Sequence, residues 1–196
     1  MMKAAPRAWQ RMLSGRRLNL LDPSPLDIEI SDIAHGLARV ARWNGQTRGE
    51  HAYSVAQHSL LVLEIFERLH PDASRNDRLA ALLHDAPEYV IGDMISPFKS
   101  VMGGEYKQVE ERLQQTIHLR FGIKPQISKT LKAAIKRADR ISAYREAVEL
   151  AGFAENEAAI IFGRPRGIDT STLDVSPRPS VLVQDEMIAK FQHIHI

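Results

Sequence analysis

The 196-residue chain has no cysteine, which excludes disulfide frameworks, thiolate zinc sites and cysteine nucleophiles together. It also lacks an excess of either charge: 26 Lys and Arg face 24 Asp and Glu, a net +2. That balance is too even for a protein that coats a polyanion. The sequence pI near 9.0 reflects a few surplus bases and no basic stripe, so nucleic-acid binding is not implied. Long apolar runs are missing too. Leu60–Leu63, continuing through Ile65-Phe66, is interrupted by Glu64 and is far too short to span a bilayer. Residues 1–17 carry charges but no continuous apolar stretch of the signal-peptide kind. A cytoplasmic protein without a membrane partner is the expectation. There is no internal repeat and no low-complexity tract.

What is present is helical pattern. The length suits one domain able to bury roughly two-thirds of its unfolded surface. Residues 1–30 form an irregular segment in which Pro23 and Pro25 break two short alternating pieces, Leu18–Leu21 and Asp27–Ile30. From residue 31 to 196, helical spacing dominates. Ile33, Leu37 and Val40 follow Ser31-Asp32, where Asp32 reads as a cap, and Asn44-Gly45 stops that helix. A second helix opens on the capping signature Ser54–Gln57 and runs to about Leu69, before His70-Pro71. A third spans about Asn76–Tyr89, with Pro87 near its end removing one backbone donor and bending or terminating it, and others are predicted over Glu105–Phe121, Ser128–Leu150, Ala154–Phe162 and Leu182–Phe191. The fold class is all-α, with six or seven helices.

Without cysteine, any metal site must draw on carboxylates and the 8 histidines. His58 lies three after Val55 and four before Val62, on a core-facing stripe, where a lone histidine reads first as a hydrogen-bonded core residue. Asp139 lies four after Ile135 and three before Ser142, so it also points inward. An ionised carboxylate there costs several kcal/mol unless a cation meets it. His84-Asp85 and Glu88 fall on one patch of the third helix, His84 and Glu88 being four apart. A divalent ion held between His84, Asp85 and ligands from other helices removes the cost of burying such groups. Two His and two Asp on three helices suit Mn, Fe, Co, Ni or Zn, as in metal sites of bundle cores.

A first His, a His-Asp pair and a distant Asp, in that order, resemble the HD-domain metal-dependent phosphohydrolases. The resemblance is closest to the YfbR-like 5′-deoxynucleotidase branch. It is carried by Val55–Ser59 around His58, by Ala81–Glu88 continuing to Gly92-Asp93, Pro97 and Lys99, and by Lys136–Asp139. These motifs cover roughly residues 42–145 of an HD-type helical bundle. The resemblance implies one divalent ion (Co, Mn, Zn, Fe, Ni or Mg) held by His58, His84, Asp85 and Asp139. It implies Glu88 as general acid/base and Asp93 as a second acidic residue at the scissile bond. Arg42, at the end of the first helix, would contact phosphate, Trp43 the base or sugar, and Lys99 further phosphates. The implied substrate is a small phosphate ester, a deoxynucleoside 5′-monophosphate, and the implied assembly is a homodimer.

His51, just outside the second helix with Arg48 nearby, departs from that pattern and is a further candidate for sugar, phosphate or leaving-group contact. Arg16-Arg17 could meet a longer phosphate chain. A triphosphohydrolase releasing the whole chain is therefore the alternative within enzymes. A non-catalytic, metal-dependent nucleotide sensor is the alternative of another class. The spacing of His193 and His195 reads as a frayed end.

Overall fold

The protein is described by a computed structural model over residues 8–94 and 104–195. Lys99 and Pro97, expected to continue the central motif, lie outside the described residues. Eight helices and one two-stranded hairpin make up the rest: β1 (Trp9–Arg11), β2 (Arg17–Asn19), α1 (Ile30–Leu37), α2 (Val55–Leu69), α3 (Arg75–Leu82), α4 (Glu88–Ile91), α5 (Gly104–Arg120), α6 (Lys129–Glu149), α7 (Glu155–Phe162) and α8 (Ser180–His195). The fold is all-α, as expected.

Helix α2 is the centre. Ten of its residues, from Val55 to Phe66, are buried, because it is packed on α3, α6 and α8 and touched by α1. A helix apolar nearly all round has no solvent face to keep. Ser54 starts it by accepting a hydrogen bond from the Gln57 backbone, and α3 opens on a full capping box between Ser74 and Asp77. Helix α6, capped by Ser128, buries Ile135, Ala138, Ile141, Ser142 and Glu146 against α2 and α7.

Three local expectations differ from the structure. The predicted third helix breaks at Leu83, residues 83–87 forming a turn before α4 resumes at Glu88. Pro87 has no N–H to give to the Leu83 carbonyl. That oxygen instead accepts from the Ala86 backbone and from Gln114 Nε2 of α5 at 3.0 Å. Among the described residues the count therefore rises to eight helices. Secondly, Asp32 is no cap: it is buried inside α1 and accepts from the Ser14 backbone at 3.0 Å and the Ser14 hydroxyl at 2.5 Å, pinning the hairpin turn. Finally, α8 is ordered through His195, whose ring stacks on Phe191 and whose carbonyl accepts from Arg75.

Two further contacts fix the approach to the site. Gly36 of α1 sits so close to α4 that a Cβ there would lie 2.8 Å from both Cβ and the carbonyl oxygen of Tyr89. The chain between α1 and α2 returns through an antiparallel bridge between Ala41 and Ser54. It then makes a tight turn over Arg42–Gly45 in which Trp43 (φ 57°) and Asn44 (φ 50°) are both left-handed. Neither residue is a glycine, so each costs roughly 1–2 kcal/mol that its surroundings must offset.

Candidate metal and active site

His58 from α2, His84 and Asp85 from the turn after α3, and Asp139 from α6 come together, the last three lining a cavity of about 1100 Å³. One ligand atom each from His58, His84 and Asp139 lies within 4.8 Å of the others. The Nε2 atom of His58 is 3.4 Å from Asp139 Oδ1 and 3.6 Å from Asp85 Oδ2. The Nε2 atom of His84 is 3.3 Å from Asp85 Oδ2.

The other nitrogen of each ring decides the tautomer. His84 Nδ1 faces the Ala81 carbonyl at 2.9 Å, and a carbonyl only accepts, so Nδ1 carries a proton. His58 Nδ1 likewise donates to Glu146 Oε1 at 2.6 Å. With Nδ1 held by its outer partner, Nε2 of each ring is the atom left to face the cluster, and a cation there would take the place of any second proton on His58. Both Nε2 atoms are buried without a well-aligned hydrogen-bond partner. A divalent ion bound at the usual 2.0–2.2 Å sets neighbouring ligand atoms about 3.0–3.5 Å apart. The spacings of 3.3, 3.4 and 3.6 Å lie at or just beyond the upper end of that range.

Electrostatics point the same way. Burial opposes the imidazolium of His58, and Arg42 opposes it further, yet the Glu146 and Asp139 carboxylates outweigh both and lift its pKa to about 10. Burial also opposes ionisation of Asp85 and Asp139, but His84 and His58 hold both well below the usual carboxylate range. The field that retains an extra proton on His58 is the field that would retain a cation. Asp139 has one more partner, Lys136 Nζ at 2.6 Å from Oδ2.

Around these four stand the remaining candidates. Glu88, 2% exposed, is the first residue of α4 and lines the same cavity beside His84, Asp85 and Asp139. It reaches that place through the Pro87 turn and not, as its spacing implied, by sharing a helical face with His84. Asp93 follows Gly92, whose φ of +77° turns the chain back, and its Oδ2 lies 3.4 Å from Arg42 Nη1. Arg42 is no helix-end residue: it lies in the strained turn, and its fork spans Asp93 and Glu146, the latter at 3.3 Å from Nη2. Those carboxylates outweigh its burial and hold the guanidinium firmly charged.

Trp43 packs edge-on against Phe162 and tilted on Phe153, with centroids 5.9 and 5.7 Å away, so much of its ring is core. Its Nε1 donates to Glu146 Oε2 at 2.9 Å. His51 is half-buried, and among the described residues no hydrogen bond or ion pair joins it to the cluster. Arg16 pairs with Glu29 at 2.8 Å and Arg17 lies over Trp9 at 4.2 Å, so neither reaches the cavity.

Glu146 is the residue sequence reasoning missed. It is fully buried and gathers His58, Ser142, Arg42 and Trp43. Burial pushes its pKa up, but His58 and Arg42 prevail and bring it down to about 2. A signal existed: Ile135, Asp139, Ser142 and Glu146 continue one stripe of α6 at helical spacing.

An all-α fold that brings a first His, a His-Asp pair and a distant Asp to one buried point defines the HD superfamily. Within it, residues 32–161 match the YfbR-like 5′-deoxynucleotidase family, and the chain belongs to that family. An uncharacterized protein of Rhodobacter capsulatus is 56% identical over 94% of both chains. A 5′-deoxynucleotidase of Citrobacter koseri is 30% identical over 62% of this chain and 72% of its own. The Escherichia coli uncharacterized protein YfdR is 33% identical over 55% of each.

Proposed function

We propose that the protein is a metal-dependent phosphohydrolase that cleaves a deoxynucleoside 5′-monophosphate to nucleoside and orthophosphate. The observation that carries the reading is the pair of buried Nε2 atoms, from His58 and His84, converging with Asp139 and Asp85. Charge supports it. Asp85, Glu88, Asp93, Asp139 and Glu146 crowd the cluster, where Arg42 pairs with Asp93 and Glu146 and Lys136 with Asp139, while Lys107, Lys129 and Lys132 line the cavity beyond it. A phosphate dianion enters such a place only if a cation has offset the carboxylates.

His58, His84, Asp85 and Asp139 would hold the divalent ion. When bound, the ion supplies Lewis-acid polarisation of the phosphoryl group and a more acidic water. The chain's own residues do the rest. Arg42 keeps two of its five N–H donors outside its three contacts with Asp93 and Glu146, enough to grip phosphate oxygens. Glu88, buried beside the ligands, takes the proton from the attacking water as its oxygen bonds to phosphorus. The P–O5′ bond breaks, and the proton passes to the departing oxygen. Asp93 holds Arg42 and faces the same phosphate. The cavity beyond the cluster, walled by α5 and α6, receives the nucleoside.

Arg16 and Arg17 are engaged elsewhere, which favours the monophosphate over a longer phosphate chain. The test is a panel of nucleoside mono-, di- and triphosphates against several divalent metals, with products identified. Orthophosphate from a deoxynucleoside monophosphate is expected. Tripolyphosphate from a triphosphate would redirect the reading to a triphosphohydrolase, and tight binding with no release in any metal would redirect it to a sensor.

A further inference from the structure

We propose that Glu146 is a positioning residue whose two carboxylate oxygens set the metal-facing nitrogen of His58 and the phosphate-facing Arg42 at the same time. The inference rests on the functional reading above for what those two groups do, and on geometry for how they are joined.

The two oxygens divide the work. Oε1 accepts from His58 Nδ1 at 2.6 Å and from the Ser142 hydroxyl at 2.7 Å. Oε2 accepts from Trp43 Nε1 at 2.9 Å, with Arg42 Nη2 at 3.3 Å and Nε at 3.4 Å. The carboxylate itself is fully buried and is built one turn after Ser142 on the stripe that carries Asp139. It therefore moves with a metal ligand of its own helix while holding another from α2.

The Oε2 side holds a conformation the chain does not adopt unaided. Arg42 precedes two left-handed residues, Trp43 at φ 57° and Asn44 at φ 50°. The Trp43 indole is fastened at its N–H by Glu146 and at its ring by Phe153 and Phe162. Releasing the N–H end frees the turn to relax, and Arg42 leaves its place with it. Strain of this kind beside a candidate site persists because its surroundings over-determine it. Here one carboxylate supplies that constraint to the turn and the tautomer to His58.

Glutamine separates this role from plain stabilisation. An amide offers one accepting oxygen and one donating NH₂ group. In Glu146→Gln the oxygen can serve His58 or the Arg42–Trp43 pair, but the NH₂ must then face donors on the other side. Two readouts should therefore move, in a variant whose fold is checked by circular dichroism. Metal affinity, measured by competition with a chromophoric chelator, should fall about 10-fold or more, the scale for an outer partner of a ligating histidine. At saturating metal, KM for a deoxynucleoside monophosphate should rise by a similar factor. Glu146→Asp, which keeps both acceptors, should recover part of each loss. A folded Glu146→Gln protein with both constants within threefold of the parent would overturn the proposal.

Should Glu146→Gln fail to fold, Ser142→Ala removes only the hydroxyl that fixes the carboxylate. It should weaken metal binding and raise KM about threefold each, and parental values for both would overturn the proposal equally. If the parent binds no metal and releases no phosphate, the functional reading fails on its own. The anchor is then read on the metal-free protein. The downfield His58 Nδ1 proton resonance and the Trp43 emission in a Trp9→Phe background must both change in Glu146→Gln, and their constancy would refute it.

Discussion

Replacing Gly36 by alanine perturbs the site from a distance, through the contact that seats α4. A Cβ at this position would lie 2.8 Å from Cβ and the carbonyl oxygen of Tyr89, about 0.6 Å inside the 3.4 Å at which ordinary contact begins. The atoms it meets belong to backbone and Cβ, so no side-chain rotation relieves the clash, and α4 must move. Overpacking of this kind costs about 1–3 kcal/mol. Alanine gains up to about 1 kcal/mol over glycine as a helix former. The net loss is about 1 kcal/mol, equivalent to about 2–4 °C in Tm for a chain of this length. The larger effect falls on chemistry. Glu88 is the residue before Tyr89, whereas His84 and Asp85 sit on the far side of the Pro87 turn. A displacement of about 0.6 Å there takes Glu88, the proposed general base, out of register with candidate ligands that have not moved. On the scale of 100-fold per 1 Å misplacement, kcat should fall roughly 10-fold. Phosphate release at saturating metal and substrate gives kcat, chelator competition gives metal affinity, and a thermal melt gives Tm. A Gly36→Ala protein with unchanged metal affinity, lowered kcat and lowered Tm is expected. Undiminished kcat with a raised Tm would show that the Gly36–Tyr89 contact does not set the position of Glu88.

Other substitutions divide binding from chemistry. Asp139→Asn should abolish both metal retention and hydrolysis, whereas Glu88→Ala should keep the metal and lose kcat by roughly 10²–10⁴-fold. Hydrolysis at the parental rate by metal-depleted Asp139→Asn would contradict the ligand assignment. His118 supplies a pH test of stability. Burial lowers its pKa below the usual value of about 6.5, and its neutral ring accepts from Gln114 Nε2 at 2.7 Å. A lowered folded-state pKa means the unfolded chain takes the proton first, so this contribution is complete above about pH 6.5 and is lost as the pH falls. Melts from pH 8 to pH 5 should show a steeper acid loss for the parent than for His118→Gln, and parallel curves would refute the assignment.

Much of this was legible in the chain. The α2 and α6 boundaries follow from Ser54 and Ser128 with the apolar spacing behind them, since caps and periodicity act within one element. His58 and Asp139 stood out as polar residues on apolar stripes and His84-Asp85 as an adjacent pair on one helix patch, local oddities that need no tertiary knowledge, and the ordered motif joined them into one candidate set. What escaped depends on partners far along the chain. The break at Leu83 is set by Pro87 together with Gln114 of another helix. The hairpin is closed by Ser14 on Asp32, 18 residues away, and so a capping signal was read where a buried acceptor stands. Glu146 lies 88 residues from His58, and nothing between them announces the pairing. Arg42 was expected at the end of the first helix, whereas it opens a turn in which the left-handed Trp43 and Asn44 defy their own propensities. Such defiance is expected where function and local preference disagree.

The bond between Trp43 and Glu146 ties together two positions 103 residues apart. Losing the indole N–H leaves a buried carboxylate oxygen short of a donor, and losing the carboxylate leaves the indole N–H and the strained turn without support, each a cost of about 1–3 kcal/mol. Sequence drift at either position is therefore penalised unless the other changes too. The two residues should be inherited as a pair, and chains that lack tryptophan at the first position should carry a different solution at the second.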